Sequence, residues 1–278
     1  MGVMGVLQAP SWLPRTRGSV RLGFVRGGGE TRLVTLRQSG AARVRFPKPA
    51  GGAMPEAVLL NTAGGLTGGD RMDIEVTLAA QCQATVTSAA AEKVYRSLGD
   101  ATEISVGQHL GDGSSCCWLP QPTILFDSAN LDRRTHVHMA ADARLLAVEI
   151  LIYGRAAMGE HVHRGAIRDA WRVTRGGRLL FADTTRVGGA VADVLARSAT
   201  LDGARATAMM IYVAPDAEQH RDAVRTLLEP VSSACGVSSW NGMLLVRAAA
   251  RDGRDLQRDL QPVIVRLGGQ PLPRVWQC

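Results

Sequence analysis

Lysine and aromatic residues are scarce in this chain of 278 residues. Lys48 and Lys93 are the only lysines, and aromatic residues make up 4% of the sequence. A core must therefore rest mainly on leucine, valine, isoleucine and alanine. The hydrophobic fraction of 46% is typical of a folded protein and argues against disorder. A chain of this length can bury a sizeable core as one large domain or two small ones.

Features of secreted and membrane proteins are missing. The five cysteines are an odd number and include no C-x-x-C pair, which argues against a secreted disulfide framework. The N-terminus lacks the charged segment and long apolar stretch of a signal peptide. No apolar run approaches the roughly 20 residues that span a bilayer. We therefore expect a cytoplasmic protein without a membrane partner.

Signatures of nucleotide-binding and hydrolytic enzymes are missing as well. The segment Gly64-Gly65-Leu66-Thr67-Gly68-Gly69-Asp70 has an aspartate where a Walker loop carries its lysine. A strand pattern follows this segment, whereas a dinucleotide fingerprint opens a helix. No G-x-S-x-G elbow occurs. The segment is interpreted as a glycine-hinged connection between strands, and a second interpretation, in which Asp70 contacts a passing cation, stays open.

The charge is positive and carried almost wholly by arginine. The formal net charge is +7, and the arginines are spread along the chain among acidic residues. Arginine favours fixed, bidentate pairing with carboxylates more than lysine does. An acidic protein partner therefore explains the excess at least as well as nucleic acid, for which no recognition motif is present. We expect protein partners and no nucleic acid.

A period of two dominates most of the chain. Residues 71–78 alternate apolar and polar side chains, which predicts a strand with one apolar face. Residues 83–87 continue the alternation, so a second strand is predicted to pair back across residues 79–81. Gly176-Gly177 has the spacing of a two-residue hairpin turn. Short strands with frequent turns predict a mainly β fold of stacked, mostly antiparallel sheets.

Helical patterns are largely confined to the C-terminal third, where about two helices are predicted. Acidic residues in the first turn and an apolar stripe predict one helix over residues 216–229, ending before Pro230. A second is predicted over about residues 252–261, with Pro262 ending or kinking it. Residues 1–18 show little periodicity and are predicted to form a flexible tail.

Two histidine pairs raise the question of a metal site. His136-Val137-His138 and His161-Val162-His163 each separate two imidazoles by one residue. On a strand both members of a pair point to the same face and can bind one metal ion, and nickel accepts imidazole. The competing interpretation is that these are surface histidines on edge strands.

Glu149 lies between two apolar residues, where an unpaired charge is costly to bury. Arg155 is the partner predicted for it, through bidentate pairing.

Six blocks resemble, in the same order, those of the urease accessory protein D family. They are the glycine-rich segment at 64–70 and residues 92–97, 118–121, 124–127, 154–160 and 273–276, the last reading Pro273-Arg274-Val275-Trp276. The resemblance runs from about residue 20 to the C-terminus. It implies a single domain over residues 19–278 whose sheets wind like a β-helix. It implies motif or partner-binding roles for Gly64, Gly65, Gly68, Gly69, Asp70, Lys93, Tyr95, Arg96, Trp118, Pro120, Gln121, Phe126, Asp127, Gly154, Arg155, Arg274 and Trp276.

The function implied by the resemblance is that of a scaffold rather than an enzyme. Such a protein binds apo-urease, the accessory protein F and the GTPase protein G, with the metallochaperone protein E as a further partner. It assists GTP-dependent insertion of nickel into urease, holding no tightly bound cofactor and meeting Ni²⁺ only in transit. Oxygen ligands suit an ion that must bind weakly and move on, and Asp70, Asp127, Glu149 and Glu160 are the candidates to line a passage.

Two functions of other classes remain as alternatives. One is a metal-binding enzyme built on the two histidine pairs. The other is a β-rich module that binds an anionic ligand through its arginines.

Overall fold

The computed structural model describes residues 14–48, 54–155 and 158–277. In these residues, strands numbered in chain order form two stacked sheets. The first sheet contains β1 (Arg17–Gly27), β2 (Glu30–Gly40), β5 (Arg71–Leu78), β8 (Thr102–Leu110), β11 (Ala129–Met139), β13 (Arg164–Arg175) and β14 (Arg178–Ala190). The second contains β3 (Ala42–Arg45), β4 (Glu56–Asn61), β6 (Gln83–Ser88), β7 (Glu92–Val94), β9 (Ser115–Leu119), β10 (Thr123–Leu125), β12 (Arg144–Tyr153), β15 (Ala206–Val213), β16 (Ala234–Trp240) and β17 (Met243–Ala250).

The chain crosses repeatedly between the two sheets, so that successive coils place parallel strands side by side. In the first sheet β5, β8, β11 and β13 are parallel neighbours. In the second sheet the same holds for β4, β6, β9 and β12. The expected mainly β fold with a β-helix-like winding is therefore confirmed. The expectation of mostly antiparallel sheets is wrong for the central strands of both sheets, which pair in parallel. Antiparallel pairs occur among the strands towards the ends of the sheets.

β5 and β6 belong to different sheets, although their sequences read as a hairpin. The alternation predicted for β5 is confirmed, because Met72, Val76 and Leu78 are buried. The predicted pairing across residues 79–81 is wrong, since Gln81 adopts a φ of 60° and the chain passes there from the first sheet to the second. Both strands turn an apolar face to the same core. A hairpin within one sheet and a crossing between two sheets therefore give the same alternation in the sequence.

The hairpin predicted at Gly176-Gly177 is confirmed. Arg175 of β13 lies opposite Arg178 of β14, and the two glycines have φ values of 55° and 76°. Positive φ at both central residues is the conformation that matches the twist of the flanking strands, and glycine adopts it without steric cost.

Three α-helices lie in the described part of the chain: α1 (Val191–Ala196), α2 (Arg221–Leu228) and α3 (Gly253–Gly268). α2 follows a single 3₁₀ turn and falls within the predicted residues 216–229. α3 begins at its predicted place, where the Asp252 carboxylate accepts the Arg254 N–H. It continues through Pro262, an exposed position, to the left-handed Gly269 at φ 63°. The short helix α1, which has no side-chain cap, was not predicted.

Two apolar cores hold these layers together. The larger lies between the two sheets and includes Leu22, Val86 and Leu145. The smaller lies between the second sheet and the helices α2 and α3, and includes Leu256. No helix among residues 14–48, 54–155 and 158–277 has the length and apolar character required to cross a membrane. Residues 1–13 of the predicted tail lie outside the described residues, whereas residues 17 and 18 already belong to β1.

Candidate functional site

A charged network is buried between the two sheets. Arg133 of β11 donates from Nε and Nη2 to both carboxylate oxygens of Asp169 on the adjacent β13, at 3.0 and 2.7 Å. Its Nη1 donates to Thr123 Oγ1 at 3.0 Å and lies 2.5 Å from Glu149 Oε2, which projects from β12 of the opposite sheet. The other oxygen of Glu149 accepts the indole N–H of Trp118 at 3.1 Å. One arginine thus faces two carboxylates in the interior, so one negative charge is left over when both are ionised.

Burial dominates the electrostatics of this network. It raises the pKa of Glu149 to about 7, against the lowering influence of Arg133. Burial by itself would lower the pKa of Arg133, but the carboxylates of Asp169 and Glu149 raise it overall. The arginine therefore stays charged, whereas Glu149 can gain or lose a proton near neutral pH. Glu149 pairs with Arg133 and not with the predicted Arg155, because its strand turns it inward, away from the surface loop.

Glu149 lines a cavity on each side of the network. One cavity, of about 450 Å³, lies between the sheets beneath mostly apolar walls and ends at Arg133 and Glu149. The other, of about 510 Å³, continues past Asp169 and Trp171. The indole N–H of Trp171 has no hydrogen-bond acceptor among the described residues. Glu149 therefore lies between the two cavities and borders both.

Residues from three of the motif blocks line the first cavity. Its lining includes Gly64, Lys93, Trp118, Pro120 and Gln121, which are separated in sequence. Gln121 also donates to the backbone carbonyl of Val275 at 2.8 Å. The C-terminal block is joined to the same region, since the Trp276 indole N–H donates to the Leu119 carbonyl at 2.9 Å. Arg274, which precedes Val275 in the chain, lines a separate, smaller cavity.

The glycine-rich segment is a tightly packed turn. Asp70 is buried and accepts the backbone N–H groups of Thr16 and Thr67, at 2.7 and 2.8 Å. At Gly68, a Cβ would lie 2.5 Å from the carbonyl oxygen of Asp100. Gly69 has a φ of 84° and packs against Arg15, again close enough that a Cβ would collide. These contacts agree with the interpretation of the segment as a connection between strands.

Three motif blocks meet in a cluster at the surface. The rings of Tyr95 and Phe126 pack edge to face with centroids 4.8 Å apart. The guanidinium of Arg155 lies 4.3 Å from the centroid of the Phe126 ring, and its Nε donates to Glu160 Oε2 at 2.7 Å. Tyr95 donates its hydroxyl to the Gly64 carbonyl at 3.1 Å, which connects the cluster to the mouth of the first cavity.

The neighbouring backbone positions are fixed by short contacts. Asp127 accepts the backbone N–H groups of His163 and Arg164 at 2.7 and 3.0 Å. Partial burial raises the pKa of Asp127, but these hydrogen bonds lower it overall. Gly154 has a φ of 84°, and a Cβ there would lie 2.6 Å from the Glu160 carbonyl oxygen. These contacts fix Gly154 and the start of β13 beside the surface cluster.

Comparison with known proteins decides the family. The family profile described as UreD urease accessory protein matches residues 16–277. A urease accessory protein UreD from Methylobacterium sp. (strain 4-46) is 45% identical over 96% of this chain and 98% of its own length. The UreD proteins of Azorhizobium caulinodans and Bradyrhizobium diazoefficiens are 45% and 43% identical, each over 94% of this chain and over 96% and 94% of their own lengths. The chain belongs to the UreD family of urease accessory proteins.

The histidine pairs of this UreD-family chain lie far apart. His136 and His138 are exposed on β11, and His138 stacks on His109 of the neighbouring strand. His161 and His163 are exposed in the loop before β13, next to Asp127. Asp127 lies in the turn before β11, and the seven residue steps from Ala129 to His136 span about 23 Å along that strand. The two pairs therefore form no joint site, and the described residues contain no group of three or more histidines, cysteines or carboxylates arranged to hold a metal ion.

Of the four carboxylates predicted to line a passage, only Glu149 borders the two large internal cavities. Asp70 and Asp127 are engaged with backbone N–H groups, and Glu160 pairs with Arg155. The structure therefore does not bring the four side chains together.

Arg133, Asp169 and Thr123 were missed in the sequence. Arg133 follows the alternation of β11, in which the buried neighbours Leu131 and Thr135 mark the inward positions. An arginine at an inward position is the sign that a buried partner exists. Its partner Asp169 comes 36 residues later, so only the pairing of β11 with β13 reveals it.

Proposed function

We propose that this chain is an accessory factor in the maturation of urease, acting as a scaffold rather than as the catalyst. Membership of the UreD family over residues 16–277 carries the proposal, because the match covers both sheets and all the described helices. Its partners are apo-urease and the accessory proteins F and G, with protein E as the source of nickel. The chain contains no Walker loop, so the GTP hydrolysis belongs to protein G.

The cargo in this proposal is Ni²⁺, and Glu149 is the residue that meets it inside the protein. Its carboxylate lies between the two cavities, and burial brings its pKa to about 7. A divalent ion competes with Arg133 for this carboxylate, so entry of the ion requires the arginine to turn wholly toward Asp169. Oxygen ligands hold Ni²⁺ less tightly than thiolate or imidazole, which suits a transient contact.

A reconstitution tests the proposed function. The full chain, carrying an affinity tag, is co-expressed with apo-urease and proteins F and G, and the purified complex is assayed for bound partners, nickel and urease activity. We expect co-purification and nickel-dependent activation that disappears when the chain is omitted. Absence of binding to urease and to both accessory proteins would reject the scaffold role.

The contact between Glu149 and nickel is tested in the same system. The variant Glu149→Gln keeps the shape of the side chain and removes its charge, and we expect it to assemble normally while activating urease at least tenfold more slowly. Glu229→Gln, at an exposed position just after α2, is the matched control and is expected to activate at the wild-type rate. Equal rates for all three proteins would reject a role for Glu149 in transfer.

A further inference from the structure

The β1–β2 hairpin presents an open strand edge. β2 pairs with β1 and with no other strand of the described residues. All but one of its eleven residues are exposed. The opposite margin of the same sheet is partly covered, because α1 contacts β14 and Arg247 pairs with Asp183 there. An open edge offers unpaired backbone N–H and C=O groups, which can pair with a strand of another chain.

The hairpin is strongly basic. It carries five arginines, at Arg17, Arg21, Arg26, Arg32 and Arg37, and one acidic residue, Glu30. None of these arginines forms an ion pair with a carboxylate of the described residues. Arg21 and Arg37 lie directly opposite each other, an arrangement that destabilises a sheet. Glu75 stands beside Arg21 on β5, but its carboxylate lies 3.8 Å from the Nε2 atom of His109.

Apolar side chains lie between these arginines. Leu33, Val34 and Leu36 are 36%, 59% and 43% exposed. Leu33 and Leu36 stand beside Phe24 and Leu22, which belong to the core between the sheets. The apolar face of the core therefore continues to the open edge, where its side chains are exposed. An edge of this kind fits a partner strand that brings both apolar cover and negative charge.

We propose that β2 is the docking edge for an extended, acidic segment of a partner protein, which adds to the first sheet as a further strand. Carboxylates of that segment pair with Arg32 and Arg37, and its apolar side chains cover Leu33 and Leu36. A second copy of this chain is a poor occupant, because it would bring the same arginines opposite each other. The choice of a urease maturation protein as the partner rests on the proposed function. The edge lies four strands from β11, about 19 Å, and is separate from the buried network.

A defined peptide tests the edge without any urease protein. A fluorescent ten-residue peptide of alternating glutamate and valine is titrated with the full chain, beside a lysine–valine peptide and a single-stranded oligonucleotide. We expect binding of the acidic peptide alone, weakened at least tenfold in the double variant Arg32→Glu/Arg37→Glu and unchanged in the control Arg266→Glu, an exposed position at the end of α3. Equal binding to the double variant, or preference for the oligonucleotide, would overturn the proposal.

Hydrogen exchange in the reconstituted complex tests the strand addition itself. We expect the amides of residues 30–40 to exchange at least tenfold more slowly when urease, protein F and protein G are bound. If exchange at residues 30–40 is unchanged in the complex, and the double variant folds and still assembles, the docking edge is rejected. The proposed function then stands. Failure of the wild-type chain to bind any of these proteins, with the acidic peptide still bound at β2, would reject the proposed function and leave the edge standing.

Discussion

Arg133 and Glu149 meet from opposite sheets, with Nη1 of the arginine 2.5 Å from Oε2 of the glutamate. Each side chain is 5% exposed, and Asp169 accepts from Nε and Nη2 of the same guanidinium. A buried arginine that serves two carboxylates cannot be removed without leaving uncompensated charge. The network is therefore a structural requirement, and its Glu149 borders both cavities.

Replacement of Arg133 by methionine is expected to destabilise the protein strongly. The change leaves Asp169 and Glu149 buried without their cation, and breaking a buried pair in this way costs about 3–5 kcal/mol. Urea unfolding at pH 7 measures the loss. Arg134→Met is the matched control on the same strand, because Arg134 is 58% exposed and pairs with Asp132 at the surface. A control variant as unstable as Arg133→Met would contradict the importance of the buried network.

The stability of the wild type relative to Glu149→Gln is expected to fall as the pH rises. In the folded protein burial raises the pKa of Glu149 from 4.5 to about 7, so the folded state binds this proton more tightly than the unfolded state. The stabilisation is fully present below pH 4.5 and is lost as the pH rises through 7. We expect the difference in unfolding free energy between the two proteins to change by about 3 kcal/mol over that window. If the unfolding free energies of the two proteins changed with pH in parallel, the raised pKa of Glu149 would be contradicted.

Alanine at Gly68 is expected to disrupt the glycine-rich turn. The added Cβ would lie 2.2 Å from Ser97 Oγ and 2.5 Å from the Asp100 carbonyl oxygen, so the backbone must move. Overpacking of this kind costs about 1–3 kcal/mol, measurable as a lower midpoint of thermal unfolding. Gly236→Ala, in β16, meets nothing within 4 Å and is the control, expected to be neutral or slightly stabilising.

Asparagine at Asp70 separates the two interpretations of that residue. Asp70 accepts two backbone N–H groups, and the amide can replace only one acceptor oxygen, so a loss of about 1–3 kcal/mol is expected. Asp73→Asn, at an exposed pair with Arg71, is the control and should change stability less. If Asp70→Asn instead kept full stability while urease activation fell, the structural interpretation would be wrong and a contact with a passing cation would be favoured.

Sequence patterns identified the faces of the strands but not their neighbours. The alternation in β5 predicted which side chains are buried, because a period of two follows from strand geometry alone. It could not show that β5 pairs with β1 and β8, since the winding places strands from different coils side by side. The hairpin at Gly176-Gly177 was predictable because its turn and both its strands are local.

The same limit applied to the candidate site. Glu149 was recognised as a charge among apolar residues, but Arg155 was predicted as its partner, through bidentate pairing. The actual partner, Arg133, reaches it from the other sheet. The motif blocks rest on the family resemblance, and only the fold showed that Gly64, Lys93 and Trp118 border one cavity.

The nickel content of urease in cells that lack this chain tests the central claim most directly. Urease is purified from the deletion strain, from the parent, and from the deletion strain that carries this chain on a plasmid, and nickel per active site is measured beside activity. We predict normal amounts of urease protein with little nickel in the deletion strain, and recovery of both nickel and activity on complementation. Fully metallated, active urease in the absence of the chain would contradict its role in maturation.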